Sequence, residues 1–331
     1  MSNRNIVDVV TIGESMVLFQ PMTEKGIKYE PLFTKALAGA ESNVAIGLTR
    51  LGKKVRWISK LGVDPFGDFI LSTLSGEGVD VSHALREKSA PTAVYFKELK
   101  GYGDPNVYYY RKNSAASKLQ PSDMQDEWLE NARHLHVTGI TPALGEHTAE
   151  VIRQMMINAR EKGMTISFDP NLRRKLWDDE TARTTLLSLI PLCDLFLPGV
   201  EEAEFLLGKH EIEQYGELFL EMGPKVIVLK LGAEGSIGFT KEEKVEAAPY
   251  TVSQVMDSVG AGDAFASGFI SLFLDYYQRE EQTILSVHLR QALERANILG
   301  ALATQFKGDW EGTPTVKEIE AIVNGEADIT R

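Results

Sequence analysis

A seven-residue string in the last third of the chain combines the features of an anion site with an acid that could accept a proton. The string is Asp257-Ser258-Val259-Gly260-Ala261-Gly262-Asp263. Its small residues leave room for three backbone N–H groups to point toward one ligand atom. The apolar residues that follow have helical spacing, so the turn is predicted to open a buried helix whose N-terminus attracts an anion such as phosphate. Asp263 would lie beside that anion, where it could deprotonate an attacking hydroxyl.

Other candidate residues lie at the ends of predicted elements. Glu14 follows the apolar run 6–12, and Gly39 and Asn43 lie at or just before a helix start, where a backbone can approach a ligand. Arg111 offers a guanidinium, the usual partner of a substrate carboxylate. Ordinary alternatives remain open: Glu14 as a solvated loop charge, and Asp263 as a simple helix cap, because short glycine motifs are weakly specific.

Strands and helices are predicted to alternate along most of the chain, which implies a mainly parallel sheet with helices on both faces. Residues that follow strand ends, such as Asp169 and Gly232, should then converge on one rim of the sheet. Apolar, β-branched runs predict strands at 6–12, 55–59, 134–138, 165–168, 194–197 and 226–229. Residues 78–80 are predicted to lead into a further strand. Helical periodicity predicts helices at 44–51, 66–75, 150–161, 181–190, 200–207 and 293–305.

One segment departs from this alternation. Residues 92–99 and 106–111 are rich in β-formers, with no helix between them, and are joined by a cluster of turn residues at 100–105. We therefore predict a small β lid beside the main sheet, built from about 14–38 and 90–112 and inserted in a single domain that spans 1–331. Tyr108 and Tyr110 are predicted to cover a face of this sheet.

Composition and missing motifs exclude several classes of function. The net charge of −12 argues against non-specific binding to nucleic acid or anionic membranes. The single Cys193 excludes an internal disulfide framework and is predicted to be a core thiol. No apolar run reaches the roughly 18 residues that span a bilayer, and the N-terminus lacks a signal-peptide core, so a cytoplasmic location is expected.

Motifs of other enzyme classes are missing as well. Gly13-Glu14-Ser15-Met16 after the first predicted strand does not match a dinucleotide-binding fingerprint, and no Walker loop or zinc-finger spacing occurs. His134 and His136 alternate on a predicted strand, and we expect core or rim histidines there rather than metal ligands.

The seven-residue string closely resembles the Asp-Thr-x-Gly-Ala-Gly-Asp signature of ribokinase-like (PfkB family) sugar kinases, with Ser258 in place of threonine. A second stretch, from Ala38 to Asn43, resembles the N-terminal Gly-Gly-x-x-x-Asn signature of that family, with Ala38 replacing the first glycine. The resemblance covers nearly the full length. It implies a three-layer ribokinase-like sandwich with a β lid, Asp263 as the catalytic base, and an anion hole formed by Gly260, Ala261 and Gly262.

Within this family the chain looks most like kinases of 2-keto-3-deoxygluconate, on the strings 109–112, 136–144 and 169–173. The resemblance implies that the sugar acid contacts Gly39, Asn43, Tyr95, Tyr109, Arg111, Arg173, Asp263 and Asp309. It implies that ATP lies near Asn171, Arg173, Lys230, Gly232, Gly235, Ser236, Gly260, Gly262 and Asn297.

One family motif is altered. The usual Asn-x-x-Glu, which helps to organise Mg²⁺ through water, here begins at Gly199 and ends at Glu202. Glu202 is thus the expected metal-organising residue, without its amide partner.

The resemblance implies transfer of the ATP γ-phosphoryl group to the terminal hydroxyl of 2-keto-3-deoxygluconate, giving ADP and the 6-phosphate, with Mg²⁺ and K⁺ as candidate cofactors. The alternatives are another kinase of the family, acting on fructose or on 2-keto-3-deoxygalactonate, and a catalytically silent sugar-acid sensor. Retention of Asp263 and of the anion hole argues against the sensor. The expected partners are the sugar acid and ATP, and a homo-oligomer formed through the aromatic lid.

Overall fold

Strands and helices alternate along most of the chain. The computed structural model describes residues 6–23, 26–98 and 105–324. The strands are β1 (Val7–Ile12), β2 (Met16–Pro21), β3 (Phe33–Ala38), β4 (Val55–Ile58), β5 (Lys60–Gly62), β6 (Leu85–Glu87), β7 (Val94–Glu98), β8 (Asn106–Tyr110), β9 (Ala132–Thr138), β10 (Thr165–Asp169), β11 (Leu195–Phe196), β12 (Val226–Lys230), β13 (Ser236–Phe239) and β14 (Lys244–Ala247). The α-helices are α1 (Ala40–Arg50), α2 (Pro65–Gly76), α3 (Glu146–Glu161), α4 (Asp179–Leu189), α5 (Val200–Leu207), α6 (Ile212–Glu221), α7 (Ala261–Tyr276), α8 (Ser286–Ala303) and α9 (Val316–Val323).

Eight strands form the central sheet, in the order β14-β13-β12-β11-β10-β9-β1-β4. The pairs from β4 to β12 are parallel, and the two pairs at the β14 edge are antiparallel. Parallel neighbours need a crossover, and helices supply most of these connections here. The predicted α/β class with a mainly parallel sheet is confirmed, whereas the antiparallel edge formed by β13 and β14 was not predicted.

Helices cover both faces of the central sheet. Side chains along β12 alternate between the two faces: Val226 and Val228 enter the core that contains α1, α7 and α8, while Ile227 and Leu229 enter the opposite core, under α3, α4 and α6. Two hydrophobic layers therefore hold the strand ends in place, and the polar residues at those ends lie on a rigid frame.

A second, smaller sheet lies beside the first, with strand order β3-β2-β7-β8. Residues 29–37 have no regular hydrophobic pattern in the sequence, but their last five residues belong to β3. Met16, Leu18 and Tyr95 form a buried cluster on one face of this sheet. Tyr108 and Tyr110 are exposed. Of the turn predicted at 100–105, residues 100–104 lie outside the described residues.

Two details of the predicted element order are wrong. No strand begins at Gly78–Asp80; Asp80 makes only an isolated bridge to Arg56, and the next strand, β6, pairs with β5 in a separate two-stranded sheet. The late helix starts at Ser286 rather than Leu293. None of the helices in the described ranges combines the length and the hydrophobicity of a membrane-spanning segment.

Candidate active site

A cavity of about 410 Å³ lies where the carboxyl ends of the central strands meet the small sheet. Asp169 and Lys230 are the last residues of β10 and β12, while Tyr95 and Tyr109 reach the cavity from β7 and β8. The structure thus brings together most of the predicted site residues. Those that line the cavity are Gly39, Asn43, Tyr95, Tyr109, Arg111, Asn171, Arg173, Glu202, Lys230, Gly260, Gly262, Asp263 and Asp309.

Asp263 is a buried carboxylate held by two amides. Asn43 Nδ2, on α1, donates to Asp263 Oδ2 at 2.8 Å, and Asn171 Nδ2 donates to Asp263 Oδ1 at 3.2 Å. Burial raises the pKa of Asp263 to about 6, although the Asn43 hydrogen bond opposes the rise. A carboxylate with this pKa is ionised at neutral pH and accepts a proton more readily than an exposed aspartate does.

The turn before Asp263 depends on a glycine. We call residues 258–262 the anion turn; its last two residues, Ala261 and Gly262, are also the first two residues of α7. Gly260 has φ +85°, and a Cβ at that position would lie 1.9 Å from the backbone oxygen of Asp309. Only glycine fits here. Gly260 and Gly262 line the cavity, so the N-terminus of α7 lies at the cavity wall.

Arg111 has a partner inside the protein. Its Nη2 lies 2.5 Å from Glu14 Oε2, and Ser114 Oγ donates to Glu14 Oε1 at 2.5 Å. Glu14 is only 2% exposed, so the alternative of a solvated loop charge is wrong. The Arg111 guanidinium also lies 5.4 Å from the centre of the Tyr109 ring. Arg111 is thereby oriented toward the cavity, with part of its charge already balanced.

A group of buried charges that the sequence did not reveal lies on the other side of Tyr95. Tyr95 donates its hydroxyl to Asp309 Oδ2 at 2.8 Å. Lys97 Nζ lies between two carboxylates, 2.8 Å from Asp309 Oδ1 and 2.5 Å from Asp257 Oδ2. Lys97 also lines the cavity. A lysine on a β-rich segment is usually solvent-facing, so no pattern in the sequence indicated this position.

The side of the cavity at the ends of β10 and β12 carries Asp169 and Lys230, with Glu202 of α5. Lys230 Nζ donates to Asp169 Oδ2 at 2.7 Å. Glu202 accepts hydrogen bonds from two backbone amides, those of Leu172 and Gly199, each at 2.8 Å. Burial raises the pKa of Glu202, while the Lys230 ammonium lowers it. At Glu202, the last residue of the altered motif 199–202, each carboxylate oxygen therefore already accepts a hydrogen bond.

Four predicted nucleotide residues lie outside this cavity, next to one another around the end of β14. Asn297 Nδ2 donates to the carbonyl oxygens of Ala247 and Ala248, at 3.2 and 2.9 Å. Ser236 pairs with Ala247, and the backbone of Gly235 is close to the same carbonyl; Gly232 opens the turn that precedes them. Asn297 lines a second cavity, of about 540 Å³.

Glu41 is a further buried acid near the site, and sequence reasoning missed it. Its Oε1 accepts from Thr138 Oγ1 at 2.7 Å and from Thr141 Oγ1 at 3.1 Å, and its Oε2 has no hydrogen-bond partner. Burial raises the pKa of Glu41 to about 7. A Cβ on Gly13 would lie 2.1 Å from the Glu41 carboxyl carbon, which explains the glycine at that position.

The two histidines are core residues, as predicted. His134 and His136 are fully buried, and both hydrogen-bond to Ser167 Oγ, at 2.7 and 2.8 Å. Burial lowers the pKa of His136 to about 3 and that of His134 well below its ordinary value, so both rings are neutral. Over the described ranges, no three acidic, histidine or cysteine side chains come together as a metal site. Cys193 is buried, as expected of a core thiol.

A sequence model of the pfkB family carbohydrate kinases matches residues 7–316. The chain belongs to this family. Its relatives in the PfkB family include the 2-dehydro-3-deoxygluconokinase of Bacillus subtilis, which is 41% identical over 97% of this chain and 96% of that protein. The enzyme of the same name from Thermoproteus tenax is 32% identical, over 96% and 94%. Fructokinase-2 from Solanum lycopersicum is 31% identical, over 96% and 97%.

Solved structures of PfkB-type kinases have the same fold. A candidate ribokinase II from Escherichia coli in complex with ATP and Mg²⁺ matches with a TM-score of 0.85 and 28% identity, over 97% of this chain and 100% of that one. A double mutant of fructokinase from Vibrio cholerae O395, bound to fructose, ADP and potassium ion, matches with a TM-score of 0.84 and 27% identity, over 96% and 99%. The predicted ribokinase-like fold is confirmed.

Proposed function

We propose that this PfkB kinase phosphorylates the terminal hydroxyl of 2-keto-3-deoxygluconate, for which 2-dehydro-3-deoxygluconate is another name. The observation that carries the proposal is the buried Asp263 carboxylate, held by Asn43 and Asn171 beside the anion turn. The names of the relatives from Bacillus subtilis and Thermoproteus tenax favour this substrate over fructose.

The arrangement supports in-line transfer. Asp263 accepts the proton of the acceptor hydroxyl as that oxygen forms a bond to the γ-phosphorus of ATP, and the bond from that phosphorus to the β,γ-bridging oxygen breaks. The N–H groups of the anion turn stabilise the charge on the moving phosphoryl group. The products are ADP and the 6-phosphate of the sugar acid.

Two arginines make the cavity suitable for an acid. Arg111 and Arg173 both line it, and a buried carboxylate requires a partner of opposite charge. Tyr95, Tyr109 and Asp309 are proposed to hold the hydroxyl groups, and Gly39 allows the backbone to approach the sugar.

The ATP phosphates are proposed to lie between Asn171, Arg173 and Lys230, with the adenosine near Gly232, Gly235, Ser236 and Asn297. Mg²⁺, when bound with ATP, would neutralise phosphate charge. Because Glu202 already accepts two backbone hydrogen bonds, it would hold the ion through water, and the phosphates would supply the direct ligands. K⁺ is a further candidate cofactor.

The small sheet is proposed to serve as a lid over the sugar site, with its exposed face pairing with that of a second copy. Tyr95 and Lys97 place its inner face against Asp309. The other face carries Tyr108 and Tyr110, which are 47% and 67% exposed.

The proposed substrate is tested by measuring kcat/KM with ATP and a panel of 2-keto-3-deoxygluconate, 2-keto-3-deoxygalactonate, fructose and ribose. We expect the gluconate derivative to give the highest value. A higher value for fructose would contradict the proposal and favour a fructokinase, whereas tight binding without turnover would indicate a sensor.

A double variant tests carboxylate recognition. Arg111→Leu alone would leave Glu14 buried and unpaired, so Arg111→Leu is combined with Glu14→Gln. Loss of one charge-assisted pair should lower kcat/KM for the acid by about ten- to a hundred-fold and leave that for a neutral sugar nearly unchanged; Glu14→Gln alone is the matched control. An equal loss for both substrates would remove the argument for an acid.

A further inference from the structure

Lys97 is a charged side chain with no exposure to solvent. It lies on β7 of the small sheet, is 0% exposed, and is one of the residues that line the cavity. Lysine is almost never fully buried unless its charge is paired. Here two carboxylates pair it, those of Asp257 and Asp309. Burial would lower the pKa of Lys97, but the carboxylates raise it above its ordinary value, so the ammonium keeps its charge.

The two carboxylates belong to the two segments that shape the phosphoryl-transfer end of the cavity. Asp257 precedes the anion turn, and its Oδ1 accepts from the N–H of Val259 at 3.1 Å. The backbone oxygen of Asp309 packs against Gly260, and its carboxylate accepts a hydrogen bond from the Tyr95 hydroxyl. One ammonium therefore joins the small sheet, the anion turn and the loop after α8.

Without this cation the local charge would be unfavourable. Asp257 and Asp309 would carry two negative charges in a buried space next to the anion turn, where the phosphates must also bind. Like charges in a low-dielectric site repel strongly, so the two segments would move apart or admit water. Lys97 cancels one of the two charges and links both carboxylates.

We propose that Lys97 is a positioning residue for phosphoryl transfer, a built-in cation that locks the anion turn to the Asp309 loop and to the small sheet. This inference rests on the proposed kinase function. Lys97 does not exchange a proton with the substrate in this role. It holds the N–H groups of the anion turn where charge develops, and a displacement of about 1 Å there can cost roughly 10²-fold in rate.

Replacement of Lys97 by a smaller residue tests the proposal through chemical rescue. Lys97→Ala removes the cation and leaves space for a small one between the two carboxylates. We expect kcat to fall by roughly 10²-fold, with a smaller change in KM for ATP, and to be restored at least partly by ammonium or potassium chloride. Lys97→Met fills the space and should resist rescue. Tetramethylammonium chloride controls for ionic strength, and the response of the parent protein to each salt is subtracted.

Amide hydrogen exchange gives a readout that does not depend on turnover. The peptide covering 257–263 should exchange faster in Lys97→Ala than in the parent and slow down again with ammonium. A folded Lys97→Ala protein with parental kcat, or one whose lost kcat and faster exchange no small cation restores, would overturn the proposal.

A second variant covers the case in which Lys97→Ala does not fold. Lys97→Met combined with Asp257→Asn preserves the net charge of the group and avoids an additional unpaired carboxylate. It should retain ADP binding and lose at least tenfold in kcat; parental kcat would overturn the proposal.

All rates are compared with the parent on the same acceptor. A parent that phosphorylates fructose but not the keto-deoxy acid would thus refute only the substrate assignment.

Discussion

Asp263 combines two properties that a general base for a sugar hydroxyl needs. It is ionised at neutral pH, and Asn43 and Asn171 fix its orientation. Asp263→Asn keeps the shape of the side chain and removes the ability to accept a proton. We expect kcat to fall by roughly 10²–10⁴-fold while ADP affinity stays close to that of the parent, as measured by steady-state kinetics and calorimetry. A variant within tenfold of the parent in kcat would refute the base assignment.

The raised pKa of Asp263 also predicts the acid limb of the pH profile. Above a pKa of about 6 the carboxylate is free to take the proton, and below it the protonated acid cannot act as a base. We therefore expect kcat/KM to fall with decreasing pH below about 6, approaching tenfold per unit. The residual activity of Asp263→Asn should show no such limb. A parent profile that stays flat down to pH 5 would contradict the prediction.

At the scale of elements, Glu41 joins α1 to Thr138, the last residue of β9, and to Thr141 in the segment that follows. Its pKa is raised from 4.5 to about 7, so the folded protein holds a proton that the unfolded chain releases. The free energy of unfolding should therefore fall as the pH rises through that window, because the unfolded state binds fewer protons there.

Glu41→Gln mimics the protonated acid and should remove this fall in the free energy of unfolding with rising pH. We expect equal stability of parent and variant near pH 4.5, and an advantage of about 1–3 kcal/mol for the variant above pH 7, measured by urea unfolding across that range. Glu217→Gln, at an exposed position on α6, is the matched control. A variant that is less stable than the parent at pH 8 would show that the ionised carboxylate stabilises the fold.

The small sheet is expected to be more protected when sugar is bound. Its inner face lines the cavity, and closure over the substrate would exclude water and limit ATP hydrolysis. Hydrogen exchange with and without the sugar acid should show added protection at 106–110, with a smaller change at 94–98, because Lys97 already anchors β7. Equal exchange at 106–110 in both states would argue against a lid.

The sequence predicted the residues that act through local spacing. The glycines of the anion turn and Asp263 are neighbours in the chain, so their chemistry can be inferred from one string, and hydrophobic periods give most of the strands that position them. The pairings of Lys97 with Asp257, and of Arg111 with Glu14, join residues 160 and 97 positions apart, which no local pattern shows. The edge strands β13 and β14 are too short for a clear period.

At the scale of the whole molecule, two sheets meet at one cavity. In the proposed function the rim of the central sheet binds the phosphates, and the small sheet provides the aromatic and charged side chains that bind the sugar. A change on the exposed face of the small sheet should therefore leave the cavity intact. This separation allows assembly to be tested apart from catalysis.

The exposed face of the small sheet predicts a dimer. Tyr110 is 67% exposed on the edge strand β8, and Tyr108 and Tyr29 line the same surface cavity as Tyr110. Large aromatic side chains grouped on one surface are typical of interfaces. We expect the parent to be a dimer at micromolar concentration by light scattering, and Tyr110→Glu to be monomeric, because a charge at a dimer contact would be buried without a partner. Val287→Glu, at an exposed position on α8, is the matched control and should remain dimeric. A monomeric parent, or a Tyr110→Glu protein with the mass of the parent, would show that this face is not the interface.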